Sequence, residues 1–200
     1  MTSVACDIVL LPSKKITDDA IVASKQLENY KTHFTLKYGE YYPHTSLYMV
    51  QLDTENFDAV RKILTKIANE TKVVDLVAKR FHQDLGFVDV EYRRDKIIDN
   101  LQDKVVTTIN PIRDGLRKKD AERIKTATGI ELENLEKYGY RSVGSEFAPH
   151  ITLTRLIDTN EVANIPSDLH TFDGEFRAIG LFEMGDNGTC IKKIFEVPLV

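Results

Sequence analysis

The chain has 200 residues, 42% hydrophobic and 29% charged, with a formal net charge of −4. That is enough chain to bury a core without covalent staples, and its slight acidity argues against long duplex nucleic acid, which needs a positive excess to neutralise many phosphates. No apolar run of about 18 residues is present to span a membrane, and two cysteines, Cys6 and Cys190, are too few for a disulfide framework and read as small buried residues.

The elements follow in chain order. Residues 4–11 read as a buried strand, short, β-branched and closed by Pro12. The apolar part, 8–11, is too short for a signal-peptide core, so a reducing cytoplasm is the expected compartment. Thr17 or Asp18 is placed to cap a helix with Ile21, Val22, Leu27 and Tyr30 on its apolar face. A short strand is expected at 34–37, with Gly39 marking a turn. Pro43 introduces an alternating strand at 44–51. A helix over 55–70 follows, with Phe57, Val60, Ile63, Leu64 and Ile67 at helical spacing. Strands are expected at 73–78 and 85–92, joined by a turn near Gln83 and Asp84. A helix over 95–109 is stopped by Pro111. Residues 112–138 are polar and helical in pattern, broken at Gly129. A strand at 148–157 is again introduced by a proline, Pro149. Strands at 172–183 and 189–197 form a hairpin around Asp186, Asn187 and Gly188. The order is that of an α+β fold without a solenoid repeat.

Two distant segments match. Tyr42-Pro43-His44-Thr45-Ser46-Leu47-Tyr48 and Ala148-Pro149-His150-Ile151-Thr152-Leu153-Thr154 both read Pro-His-x-(Ser or Thr)-Leu. Alternation along a strand puts His44, Ser46 and Tyr48 on one face and His150, Thr152 and Thr154 on one face of the other. Each strand then shows an imidazole and a hydroxyl about 7 Å apart. Two such strands facing each other across a groove suit phosphodiester cleavage. One neutral imidazole takes a proton from water or a ribose hydroxyl, and the other, protonated, gives one to the departing oxygen. The hydroxyls donate to the phosphate oxygens, where charge grows. One H-x-(S/T) alone carries little information; two copies with the same proline and leucine carry much more.

The paired signature resembles that of the two-histidine (2H) phosphoesterase superfamily, which includes 2′-5′ RNA ligase-like proteins and cyclic phosphodiesterases. His44 and Ser46 match its first motif, with serine where threonine is commoner; His150 and Thr152 match the second. The resemblance implies a single bilobal domain over 1–200, antiparallel sheets backed by helices around a central cleft, with 112–141 as a family-specific helical insert. It also implies a metal-independent phosphodiesterase, without cofactor, acting on a 2′,3′-cyclic phosphate, a 2′-5′ linkage or a cyclic oligonucleotide. The expected partners are a nucleotide, oligonucleotide or RNA end, with no long duplex and no membrane, and the chain is expected to be a monomer. The alternative is a module that binds a nucleotide or RNA end without turnover.

Tyr48, Tyr42, Tyr140 and Arg141 are further candidates for stacking on a base or pairing with phosphate. Phe147 is expected in the core and Arg155 on the face opposite His150. The basic run 113–119 is a solvated helix face or a lid over phosphate. His33, His82 and His170 belong to no motif, and no spacing suggests a zinc site.

Overall fold

The ten residues Ser3–Pro12 run extended as strand β1, and Pro12, unable to continue the ladder, releases the chain into helix α1, Lys14–Gln26. The computed structural model describes residues 2–165 and 167–200. Helix α1 starts at Ser13, earlier than the Thr17 or Asp18 cap expected. Its buried stripe is therefore Ile16, Ala20, Ala23 and Ser24, and Val22, expected on the apolar face, is 55% exposed.

Strand β2 spans Thr45–Asp53 and helix α2 spans Phe57–Asn69, where Val60, Leu64, Ile67 and Ala68 form the buried stripe. Each large side chain so buried contributes roughly 1.5–3 kcal/mol. Strands β3 (Val74–Leu76), β4 (Ala78–Asp84) and β5 (Phe87–Tyr92) follow. The β4–β5 turn is Leu85-Gly86, both at positive φ, rather than the expected Gln83 and Asp84. Gly86 is required twice over, since a Cβ there would lie 2.7 Å from the Leu156 carbonyl oxygen. Asp95 caps helix α3 (Lys96–Ile109) by accepting from the Ile97 and Ile98 amides. The polar stretch carries helices α4 (Lys118–Arg123) and α5 (Gly129–Tyr138), the latter closed by Gly139 in the left-handed region. Strand β6 is His150–Arg155. The hairpin strands β7 (Gly174–Met184) and β8 (Cys190–Pro198) turn through Asn187 and Gly188 at positive φ.

These strands make two antiparallel sheets. In the five-stranded sheet the order is β2-β1-β7, with β8 and β3 both on the far edge of β7; the three-stranded sheet runs β4-β5-β6. Both motif strands, β2 and β6, are therefore edge strands, one in each sheet, and they touch. The covering helices are exchanged between the halves. Helix α1, which follows β1, packs on β6; α3, which follows β5, packs on β2. Ser24 on α1 donates to the Leu153 carbonyl at 2.6 Å, and Gln102 on α3 donates to the Leu47 carbonyl at 3.3 Å. Each motif strand is thus held from behind by a helix from the opposite half of the chain.

Residues 34–37 are not a strand. Phe34 and Leu36 are buried, but their backbone groups are met by hydroxyls: Thr154 donates to the Phe34 carbonyl and Ser24 accepts from the Leu36 amide. Side chains stand in for a ladder partner there. Among the described residues no helix is long and apolar enough to cross a membrane.

Candidate active site

Two β-bulges decide what faces the cleft. In the β1–β2 ladder Val9 pairs with Ser46 and Ile8 with Tyr48, so Leu47 is the extra residue. In the β5–β6 ladder Asp89 pairs with Thr152 and Val88 with Thr154, so Leu153 is the extra one. Paired residues in an antiparallel ladder share a face. The bulge leaves Ser46 beside Val9 on the cleft side and turns Tyr48 to the core beside Ile8. It leaves Thr152 beside Asp89 and turns Thr154 to the core beside Val88. Both motif leucines are bulge residues, which gives the Pro-His-x-(Ser or Thr)-Leu match a backbone meaning.

Strict alternation therefore misplaced three side chains. Tyr48 does not share the face of Ser46: it is fully buried, its hydroxyl donating to the Tyr138 carbonyl at 2.6 Å and to Asn110 Oδ1 at 3.1 Å. Thr154 does not share the face of His150 and is fully buried. Arg155, expected opposite His150, pairs with Phe87 and falls on the face of Thr152 and His150. Its guanidinium lies 4.6 Å from the Phe87 ring centroid and donates to Asn187 Oδ1 at 2.7 Å.

The histidines are built alike. His44 Nδ1 lies 2.6 Å from the Tyr42 carbonyl oxygen, and His150 Nδ1 lies 2.7 Å from that of Ala148. In each case the acceptor sits two residues back, just ahead of the motif proline. A carbonyl partner makes Nδ1 the protonated nitrogen of the neutral ring and leaves the Nε2 lone pair free. Proline holds its own φ and biases the preceding residue to extended backbone, which presets this short loop.

Each hydroxyl has a buried carboxylate beside it. Ser46 Oγ donates to Asp7 Oδ2 at 2.6 Å, and Asp89 is the cross-strand partner of Thr152. Asp7 is fully buried and Asp89 is 9% exposed; each has an Oδ1 with no hydrogen-bond partner among the described residues. Burial pushes the Asp7 carboxyl up to about 7, against the opposing pull of the Ser46 hydrogen bond, Arg117 and His150. Burial also raises Asp89, opposed by His150, Thr152 and His82. His44 is pushed down to about 4 by burial; its bond to the Tyr42 carbonyl works the other way, and the charge of His150 adds to the lowering. Asp7 Oδ2 stands 3.6 Å from His44 Nε2, close enough for an ion pair. The burial of both groups favours the form in which both are neutral, the proton resting on Asp7.

Neither aspartate belongs to a motif, but both left a mark in the sequence. A carboxylate inside an apolar strand run, as in Cys6-Asp7-Ile8 and Val88-Asp89-Val90, is rare unless it is paired or used. Arg117 was also hidden within the polar stretch. It is 7% exposed, grips the fully buried Asp120 at 2.5–2.6 Å, and lies 5.7 Å from the Tyr140 ring centroid. The basic run 113–119 is accordingly no solvated helix face at this point.

The remaining candidates divide. Tyr42 is partly buried, packs on Phe182 with ring centroids 5.0 Å apart and the rings tilted by 58°, and lines a narrow pocket together with His44, Thr152 and Cys190. Tyr140 is 7% exposed and packs on Tyr48, so its ring offers no free face for a base. Arg141 is exposed and pairs with Glu131 at 3.7 Å. Phe147 is buried, as expected.

Comparison with solved structures bears out the fold. The chain aligns over 100% of its length with 99% of LigT of E. coli in its apo form, at 15% identity and a TM-score of 0.60. It aligns over 98% with 97% of TT0787 of Thermus thermophilus, at 12% identity and a TM-score of 0.61. A solved phosphoesterase matches 100% of the chain over 99% of its own, at 15% identity and a TM-score of 0.59. The architecture is the α+β fold of those solved structures, with antiparallel sheets backed by helices, as the resemblance implied. The family model described as "Protein of unknown function (DUF1045)" matches residues 50–181, and the chain belongs to that family. No curated protein matches the sequence.

Proposed function

We propose that the chain is a metal-independent phosphodiesterase acting on a ribose-linked phosphodiester: a 2′,3′-cyclic phosphate, a 2′-5′ linkage or a cyclic oligonucleotide. The observation that carries this reading is the duplicated construction of the two halves. In both, Nδ1 is tied to the carbonyl two residues back, a bulge just after the hydroxyl residue turns the next side chain to the core and leaves the hydroxyl on the cleft side, and a buried carboxylate stands beside it. A structural histidine has no need of a second copy in the same setting.

In this reading His44 is the general base. Its burial favours the neutral ring at neutral pH, with the Nε2 lone pair available to take a proton from water or a ribose hydroxyl. His150, as the imidazolium, gives its Nε2 proton to the departing ribose oxygen, and the charge of Asp89, beside Thr152 on the neighbouring strand, favours that protonated ring. Ser46 and Thr152 donate to the non-bridging phosphate oxygens as charge builds there. A protonated Asp7 allows this: its carboxyl O–H donates a hydrogen bond to Ser46 Oγ, which frees the serine hydroxyl hydrogen to point at the phosphate. Tyr42 lines the edge of the site beside His44.

LigT of E. coli has been solved with phosphate, with 3′-AMP and with ATP, at 14–16% identity to this chain. Those ligands suit a nucleotide or oligonucleotide substrate here. One chain supplies both histidines, so a monomer with its two sheets as one bilobal unit suffices. Two free, buried cysteines suit a reducing cytoplasm. The test is a panel of 2′,3′-cyclic nucleotides, 2′-5′ oligoadenylate, and cyclic di- and trinucleotides, assayed in EDTA with the His150→Ala protein as control. Turnover of one class, lost in the variant, supports the reading. Equal turnover by the variant removes His150 from the chemistry.

A further inference from the structure

Three side chains at the floor of the cleft have a second capacity. A carboxylate oxygen of Asp7, a ring nitrogen of His44 and Cys190 Sγ all lie within 4.8 Å of one another. They come from β1, the residue ahead of β2, and the first residue of β8. We propose that Asp7, His44 and Cys190 form a binding site for a thiophilic divalent cation of the Zn²⁺ class, and that its occupancy blocks the cleft.

The donor set is one thiolate, one imidazole and one carboxylate. That suits zinc, which takes Cys, His and Asp at about 2.0–2.3 Å, and it is too poor in oxygen for Mg²⁺ or Ca²⁺. Three protein ligands leave the fourth position of a tetrahedron open. The His44 Nδ1 bond to the Tyr42 carbonyl is the outer support that metal-binding histidines use, since it fixes the ring and points Nε2 inward. Asp7 Oδ2 and His44 Nε2 are already 3.6 Å apart, close to the edge of about 3.3–3.6 Å expected around tetrahedral zinc. Asp7 Oδ1 supplies an independent indication: it is an oxygen of a fully buried carboxyl group with no hydrogen-bond partner among the described residues. Cys190 and His44 line the same narrow pocket as Thr152 and Thr189, which marks the side from which an ion would enter.

The proton balance is simple. Without metal, burial holds the Cys190 thiol well above its usual range, so it carries its proton. Coordination forms a metal–sulfur bond and releases that proton to solvent; a protonated Asp7 releases a second. No oxidation state changes. The bound ion takes up the Nε2 lone pair of His44. The blocking effect therefore rests on the role given to His44 above, whereas the binding does not.

The experiment uses the full chain, stripped with EDTA and desalted, and titrated with Cd²⁺ as a probe. A cadmium–thiolate bond gives an ultraviolet charge-transfer band. One equivalent should produce the band, and Zn²⁺ should displace it. Cys190→Ser and Cys190→Ala should both lose it, and His44→Gln should weaken binding at least tenfold. Cys6→Ser should keep it, because Cys6 lies on the core face of β1. No band in the unmodified protein, or an undiminished band in both Cys190 variants, overturns the site. Zn²⁺ should also abolish turnover of the substrate class found in the panel, reversibly with EDTA, and the Cys190→Ser protein should resist it. Cadmium binding with Zn²⁺-insensitive turnover overturns the blocking claim alone. Absent turnover with an intact band leaves the site standing and counts against the proposed activity.

Discussion

Replacing Asp7 with asparagine tests the electrostatics of the cleft floor. The amide has nearly the shape of the carboxyl and keeps an oxygen to accept from Ser46, now 2.6 Å away, but it does not ionise. A carboxyl whose pKa rises from 3.8 unfolded to about 7 folded binds more proton in the folded state between those values. Its contribution to stability is fully present below pH 3.8 and lost as pH rises through about 7. At about 1.4 kcal/mol for each tenfold change in proton concentration, the loss is about 4 kcal/mol. Asp7 is fully buried, so solvent screening takes little from that figure. The Asp7→Asn protein should therefore gain on the unmodified protein as pH rises, the difference in unfolding free energy growing by about 4 kcal/mol between pH 4 and pH 8. Taking the difference cancels the other titrating groups. The chain has no tryptophan, so urea melts followed by circular dichroism in EDTA are the assay. A difference that shrinks with pH would refute the reasoning, because it would mean that Asp7 is ionised in the folded protein and paired with a protonated His44.

Further outcomes follow from the same geometry. A base whose pKa lies near 4 stays competent in mild acid, so the acid limb of kcat/KM assigned to His44 should fall near pH 4 instead of near 6.5; a limb at 6.5 that persists in the His150→Gln protein would reject that assignment. Thr152→Val, which removes only the hydroxyl, should lower kcat by about 10²–10³-fold with little change in urea midpoint, and an unaffected kcat would take Thr152 off the phosphate. Tyr48→Phe leaves the Tyr138 carbonyl without its buried donor and should cost about 1–3 kcal/mol in urea melts, while kcat/KM stays within twofold; a large catalytic loss would return Tyr48 to the cleft.

The amino-acid sequence carried the order of elements well, because each long helix announced itself by spacing. Val60, Leu64 and Ile67 in α2 did so, and Asp95 and Pro111 bracketed α3. Helix α1 was shifted because its stripe uses alanines and a serine in place of large apolar residues. Residues 34–37 resembled a strand because Phe34 and Leu36 are buried, but their backbone partners are side-chain hydroxyls distant in sequence. The motifs located both histidines and both hydroxyls. Which neighbours share their face was not legible, since each bulge is a property of two paired strands and inverts the alternation beyond Leu47 and Leu153. Asp7 and Asp89 escaped for the same reason: their place beside Ser46 and Thr152 depends on strand pairing, and only their oddness within apolar runs hinted at it.

The central claim is that His44 and His150 act on one phosphorus in one transition state. The direct measurement is kcat on the substrate class found in the panel, in EDTA, for His44→Ala, His150→Ala and the double variant. Each single change should cost about 10²–10⁴-fold, and the double variant should be little worse than the weaker single one, since a broken acid–base pair leaves little for the second loss to remove. Losses that multiply in full, or a single variant that keeps its rate, would show that the two rings do not share the reaction.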